Sequence, residues 1–557
     1  MTDAPTPAPA SPALPGQIAE IAAGYAFDVP SLEFGAAVLD GTAYRDAQVK
    51  IPLSVMNRHG LVAGATGTGK TKTLQLMAEQ LVEQGVPVFL ADIKGDLSGM
   101  ATPGVANDKI TARAGDIGMQ WEPTAYPVEF YSLGGMGKGI PIRASVSMFG
   151  PTLLSKCLGL NATQESSLGL VFHYADTRGL WLDDIQDLRD VITFLVSDEG
   201  KAELKELGGL SAATAGVILR ELVNFSAQGA DVFFGLPEFD TNDLLRTAAD
   251  GRGLVSMLEL PAVQDRPQLF STFLMWLLAD LFHDLPEVGD VDKPKLVFFF
   301  DEAHLLFNDA SKDFLDQIQQ TVRLIRSKGI GIFFVTQSPK DVPGDVLAQL
   351  GNRVQHALRA FTPDDAKALR DAIKTYPNTA YDMEKLLTSL GIGEAVITVL
   401  SERGAPTPVA WTRMRAPESL MGPSEPGVLD AAIAASPLAT KYGTAINRES
   451  ASEMLGKAAV ARTEAEKAAQ VEAENAKVRE AAAKAAEKEQ AAAAKQAEKD
   501  RLAAEKAQAR ESQRRAEEPG MVESVVKSSA FKSMLRSAGT VIGREITRSI
   551  FGTSRRR

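Results

Sequence analysis

Residues 64–71 read Gly64-Ala65-Thr66-Gly67-Thr68-Gly69-Lys70-Thr71, directly after the short apolar run Gly60-Leu61-Val62-Ala63. Behind them Lys72-Thr73-Leu74-Gln75-Leu76-Met77 opens with apolar residues at helical spacing. Strand, glycine loop and helix in that order form the setting in which this motif, a Walker A loop, carries meaning. The glycines let successive backbone N–H groups turn toward one phosphate chain, and the helix N-terminus adds a positive dipole end. Lys70 supplies a point charge at the β- and γ-phosphates, and Thr71 supplies a hydroxyl ligand for Mg²⁺. Residues Gly64 to Thr71, with Lys72 beside them, are therefore the candidate contacts for a nucleoside triphosphate.

The second half of such a site lies far downstream. Residues 295–304 read Lys295-Leu-Val-Phe-Phe-Phe-Asp301-Glu302-Ala-His304. A continuous apolar run fits a buried parallel strand, and its carboxyl end is where open α/β sheets keep their ligand crevice. Asp301 is the candidate metal acid, and Glu302 the candidate base that polarises a water for attack on the γ-phosphate. A second run, Gly329-Ile-Gly-Ile-Phe-Phe-Val-Thr336-Gln337, ends in polar residues; Gln337 is the candidate sensor of the γ-phosphate. Arg326 and Arg353 are the candidates for an arginine presented to a neighbouring subunit. Val86-Pro-Val-Phe-Leu-Ala-Asp92 is a further core strand. Its terminal Asp92 can bind a water near the γ-phosphate, hold Lys94, or cap the following turn.

With these pieces in place the chain resembles the HerA/FtsK-type P-loop ATPases, in particular the bacterial HerA-like proteins. The resemblance rests on the Walker A loop, Ala91-Asp-Ile-Lys-Gly-Asp-Leu-Ser-Gly, Gly139-Ile-Pro-Ile-Arg and Leu158-Gly-Leu-Asn-Ala-Thr-Gln-Glu. Leu296-Val-Phe-Phe-Phe-Asp-Glu-Ala-His, Thr336-Gln-Ser-Pro and Gly393-Glu-Ala-Val complete it, so that it spans about residues 20–425. It implies a RecA-like core, ATP and Mg²⁺ as ligands, a homo-oligomer of hexameric form, and hydrolysis coupled to moving double-stranded DNA or another polymer. One departure from the archaeal HerA pattern is expected: with about sixty residues before the P-loop, the first sixteen rich in Pro and Ala, no substantial N-terminal barrel fits.

Composition sets the wider limits. The chain has 557 residues, 45% of them hydrophobic, which suffices for a large core. A single cysteine, Cys157, excludes an internal disulfide framework and fits a reducing cytoplasm. Five scattered histidines leave Mg²⁺ as the only metal implied. The N-terminus lacks the pattern of a signal peptide. The longest apolar stretch, Leu269 to Phe282, is broken by Ser271, Thr272 and Asp280, so no transmembrane segment is expected. A net charge of −12 argues against a wholly basic nucleic-acid surface, though a motor can be acidic outside and basic in its channel.

The order of elements predicts an α/β fold: a RecA-like core with a mostly parallel sheet, a helical insertion and a long helical tail. Residues 1–16 read as a disordered lead and 17–425 as the ATPase domain. Its core takes about 50–146 and 251–415, its insertion about 147–250. Residues 426–448 read as a linker. The glycine-rich stretch at Lys138 and Arg143 is a candidate pore loop. Residues 449–517 are dominated by Ala, Glu, Lys, Gln and Arg; with alanine at most a and d positions they fit a solvated single helix better than a strong coiled coil. Residues 518–557 carry an apolar stripe (Phe531, Leu535, Ile542, Ile546) among basic side chains, a pattern for a protein partner, nucleic acid or anionic membrane. A nucleotide-switched scaffold docking a partner through this tail, and a phosphotransferase, are the alternatives to a DNA motor. Glu302 beside Asp301 speaks against the phosphotransferase.

Overall fold

The computed structural model describes residues 14–204, 208–289, 291–307 and 312–514. It divides into two units, Met1–Val460 and Ala461–Arg557. Twelve strands of the first unit form one sheet: β1 Ser31–Leu39, β2 Thr42–Pro52, β3 Gly60–Ala63, β4 Val88–Asp92, β5 Val128–Leu133, β6 Ile140–Ile142, β7 Val255–Glu259, β8 Leu296–Phe300, β9 Ile330–Thr336, β10 Asn352–Gln355, β11 Glu394–Thr398 and β12 Ala410–Met414. Their order is β2-β1-β12-β11-β10-β3-β9-β8-β4-β7-β5-β6.

From β10 to β6 every neighbour pair is parallel; the four strands on the other side, β11, β12, β1 and β2, join antiparallel. The sequence dictates this division. Strands β3, β4, β8 and β9 are buried at every residue, as apolar runs covered on both faces must be. Strand β12 alternates buried and half-buried residues, the pattern of a one-faced antiparallel strand.

Because side chains alternate across a strand, each central strand feeds two cores. Val297 and Phe299 of β8 pack on one face with Leu74, Met77 and Leu81 from the helix Lys70–Glu83. Leu296, Phe298 and Phe300 pack on the other with Leu168, Val191 and Leu222 from the inserted helices, and with Phe273 and Trp276 from the helix Pro267–Asp284. That helix contains the longest apolar stretch of the chain, and it is apolar because it lies inside. The insertion, with helices Ala162–Arg178, Ile185–Leu195 and Ala212–Ala227 among others, thus shares the core of the sheet. Cys157 packs against the same core, where burial pushes its thiol up to about 12.

After β12 the chain returns across the molecule. Gln75 donates to the Ser419 hydroxyl (2.6 Å) and the Leu420 carbonyl (3.1 Å), and Glu79 accepts from the Glu418 and Ser419 N–H groups (2.8 and 3.0 Å). Residues 426–448, expected as a linker, hold two helices instead, Pro426–Ala435 and Pro437–Tyr442. Leu429, Leu438 and Tyr442 are buried, too few apolar positions to register as a periodic pattern. Arg448 then pairs with Asp183 of the insertion at 2.7 Å. The helix Ala451–Arg514 follows, 64 residues or about 100 Å at 1.5 Å per residue, with residues 463–512 exposed. Among the described residues no helix is long and apolar enough to cross a membrane. The basic segment 518–557 lies outside the described residues.

Burial raises the Glu79 carboxyl to about 7, although Ser419 and two backbone N–H groups hydrogen-bond it. A carboxyl raised on folding stabilises most below its unfolded value and loses that contribution as pH rises through the folded one. The thermal midpoint should therefore fall between about pH 5 and pH 8. Glu79→Gln, with no proton to lose, should lower the midpoint at pH 5 and flatten the slope, each pH unit of linkage being worth about 1.4 kcal/mol. An unchanged slope would show that Glu79 is already ionised at pH 5.

Candidate nucleotide-binding site

The parallel strands β3, β9, β8 and β4 end along one edge of the sheet, and the loops that leave them build the site. Between β3 and the helix Lys70–Glu83 the glycine loop is tied down at three points. Gly64 N–H donates to the Thr336 carbonyl (3.2 Å), Ala65 N–H to the Ala357 carbonyl (2.8 Å), and the Thr68 carbonyl accepts from Gly393 N–H (3.1 Å). Gly69 enters the helix at φ +114°, a conformation only glycine adopts at low cost. A Cβ on Gly64 would lie 2.5 Å from the Cβ of His356. His356 is fully buried, its Nε2 2.8 Å from Thr73 Oγ1 and its Nδ1 2.9 Å from the Glu394 carbonyl. Burial lowers its pKa to about 4, so the ring is a neutral brace between loop, helix and β11.

Lys70 donates to the Ala65 carbonyl at 3.2 Å. Burial lowers its pKa, against the pull of Glu302 and Asp301. Thr71 occupies the first turn of the same helix. Lys72 donates to Gln75 (3.1 Å); burial lowers its pKa too, opposed first by Asp96 and then by Asp92.

Asp301 follows β8 and is 1% exposed. Its Oδ1 accepts from Glu302 N–H at 2.9 Å, while its buried Oδ2 has no hydrogen-bond partner among the described residues. Burial, then the Glu302 charge, raises it to about 7. The unpartnered buried oxygen of Asp301, whose charge acts on Lys70, and the Thr71 hydroxyl in the first turn after the glycine loop are oxygen donors of the kind that suit Mg²⁺ held with a triphosphate. Glu302 sits at φ +47°, rare for a residue with a side chain. Its Oε1 forms an ion pair with the Lys94 ammonium, and His304 Nδ1 lies 3.3 Å from its Oε2. Burial works to raise Glu302, but Lys94 outweighs it, aided by His304 and the Gln337 side chain, and the carboxyl ends below its ordinary value. Gln337, Ala65, Thr66, His304 and Arg359 line a cleft of about 430 Å³.

Asp92 ends β4 fully buried. Its oxygens accept from the N–H groups of Lys94 (3.2 Å), Gly95 (2.7 Å) and Leu97 (2.8 Å), so it caps the loop that carries Lys94. Burial raises it to about 6. Asp341 plays the same part after β9, accepting from Thr336 Oγ1 (2.8 Å) and Ser338 N–H (2.9 Å). The two candidate arginines are elsewhere. Arg326 occupies the turn before β9, where its charge acts on His59 just ahead of β3. Arg353 of β10 is hydrogen-bonded to the Thr375 hydroxyl. Lys138 pairs with Asp430 at 2.7 Å and Arg143 donates to the Tyr442 carbonyl at 3.1 Å, so both are engaged within their own chain. Sequence reading missed His356 and Asp341, and it met Gly393 only as part of a motif, without its contact to the glycine loop. A lone histidine after a four-residue strand and an acid three residues beyond a serine were the only signals.

The family described as helicase HerA-like, C-terminal, matches residues 38–557. The chain belongs to that family. It is 21% identical over 363 residues to a DNA double-strand break repair helicase HerA of Sulfolobus acidocaldarius, covering 63% of this chain and 64% of the relative. It is 35% identical over 112 residues to a probable helicase of Methanocaldococcus jannaschii, covering 19% and 20% of the two chains. The chain thus spans just under two thirds of the length of the HerA relatives it matches. Among solved structures, the plasmid coupling protein TrwB with a non-hydrolysable ATP analogue aligns at TM-score 0.46 and 16% identity, over 72% of this chain and 98% of that one. VirB4 of Thermoanaerobacter pseudethanolicus aligns at 0.43 and 14%, over 72% and 99%.

Gly64→Ala places a methyl group 2.5 Å from the Cβ of His356, a buried residue that three elements hold in place. Nucleotide affinity, read by titration with a fluorescent ATP analogue, should fall at least about tenfold, one order of magnitude per 1.4 kcal/mol. Affinity equal to the parent chain would mean that His356 yields and does not brace the loop.

Proposed function

We propose that this HerA-family chain hydrolyses ATP with Mg²⁺ as a ring-forming motor, a hexamer in the cytoplasm, and couples hydrolysis to translocation or helicase-like remodelling of double-stranded DNA. The observation that carries the reading is the adjacency of β3, β9 and β8. It sets the glycine loop, Gln337 and the Asp301–Glu302 pair side by side at one edge of the sheet. The relatives named as DNA double-strand break repair helicases support DNA as the polymer.

In this reading the backbone N–H groups of residues 64–71 bind the phosphate chain, and Lys70 leaves the Ala65 carbonyl for the γ-phosphate oxygens. Thr71 and Asp301 would hold Mg²⁺, which would supply positive charge to the phosphate chain. Glu302 takes the proton of the attacking water and Gln337 orients that water. Lys72 and Asp92 shape the rim, Asp92 through the loop it caps. Arg326 or Arg353 reaches the γ-phosphate of a neighbouring subunit. Residues 518–557 bind a protein partner, nucleic acid or an anionic membrane.

Steady-state ATP hydrolysis should rise with double-stranded DNA, and the rise should weaken between about 50 and about 200 mM salt as counterion release loses its drive. Glu302→Gln should lower turnover about a hundredfold or more. Mixing Lys70→Ala with Arg326→Ala chains should restore part of the activity that each lacks alone. Hydrolysis indifferent to DNA would favour the nucleotide-switched scaffold.

A further inference from the structure

Glu302 is the group that has to accept a proton, yet the structure shows it engaged. Its Oε1 is paired with the Lys94 ammonium, and the carboxylate is 8% exposed while the Lys94 side chain is 48% exposed. Such a pair has two effects on a general base. It occupies Oε1, the other oxygen being buried with no hydrogen-bond partner among the described residues, and it fixes the direction in which the carboxylate faces. The pair is not an incidental surface contact. Lys94 stands on a turn in which the N–H groups of Lys94, Gly95 and Leu97 are all held by Asp92. Gly95 adopts φ +75° within that turn. Glu302 for its part is fixed in a left-handed backbone conformation, with its own N–H held by Asp301. Both partners are positioned by backbone, and one of them keeps its charged head half in solvent.

We propose that Lys94 is a positioning residue that restrains Glu302, and that the restraint is released when a phosphate group of a bound polymer takes the Lys94 ammonium. The inference rests on the reading of Glu302 as the hydrolytic base. An ammonium in this place suits such an exchange. It is a compact point charge on a flexible stem, open to solvent on one side, and a polymer phosphate offers it a charge-assisted partner equivalent to the carboxylate it leaves. Once Lys94 has moved, Oε1 is free to take the attacking water. Hydrolysis is then slow in the absence of the polymer and fast in its presence, with no change in how ATP is held.

The test compares the full chain with Lys94→Ala and Lys94→Arg, measuring kcat and KM for ATP with and without double-stranded DNA, and affinity for a fluorescent ATP analogue. Lys94→Ala should raise DNA-independent kcat about tenfold, a modest part of the range open to general-base catalysis. It should leave nucleotide affinity unchanged and bring the ratio of stimulated to unstimulated rate close to one. Lys94→Arg should retain a low basal rate. A gain in kcat is something that structural damage does not produce. If Lys94→Ala lowers both kcat and affinity, Lys94 is a nucleotide contact and the proposal fails. If basal kcat is unchanged, or DNA still stimulates Lys94→Ala to the parent ratio, it fails as well. A Glu302→Gln chain that hydrolyses ATP normally would instead overturn the assignment of the base, whatever Lys94 does.

Discussion

Two adjacent carboxyls at the buried end of β8 set the terms for everything around them. Taking both out of water as charges is costly unless each finds compensation. The structure treats them unequally. Asp301, with one oxygen unpartnered among the described residues, is driven up to about 7 by burial; Glu302 goes the other way because Lys94 faces it. The lysines answer in kind. Lys70, packed inside, is lowered by its own burial, while the half-exposed Lys94 is burdened by desolvation but carried above its ordinary value by Glu302. The chain of dependence runs back through Asp92. Its carboxylate orders the turn that sets Lys94, so an acid ending β4 decides the state of an acid ending β8.

The period of two along the central strands makes the two faces of the sheet interdependent. Phe298 and Phe300 reach the inserted helices, and Val297 and Phe299 reach the Walker A helix. The insertion is therefore continuous with the core that seats the glycine loop. On the opposite face, Gln75 and Glu79 bond the segment at 418–420. From that segment the chain runs through two packed helices to Arg448 and Asp183, so the returning strap joins the nucleotide side of the sheet to the insertion side.

The parts of the site legible in the sequence were those whose chemistry is local in the chain. Gly64 to Thr71 announce a loop because glycine freedom and a helix start must be contiguous; Leu296 to Glu302 announce a buried strand ending in acids. The alternating β12 and the fully apolar β8 and β9 likewise carry their sheet class in their own residues. What could not be read is made by residues far apart. His356 meets Thr73 across 283 positions and Lys94 meets Glu302 across 208. No periodicity encodes such pairs. Residues 426–448 were misread for a related reason: their three buried anchors, Leu429, Leu438 and Tyr442, are too sparse to raise a helical pattern above the polar background.

The polarity of a parallel sheet also decides what an arginine can do. Strand β9 runs from Ile330 to Thr336, seven residues, which at about 3.3 Å each separate its ends by roughly 20 Å. The glycine loop and Gln337 are at the carboxyl end; Arg326 is in the turn before the amino end. That gap is several times the reach of an arginine side chain. Arg326 therefore has no route to the cleft that Gln337 lines in its own chain. The same polarity leaves Arg359, four residues beyond the carboxyl end of β10, on that cleft with Gln337 and His304, so the arginine within reach of the loops follows a strand and does not precede one.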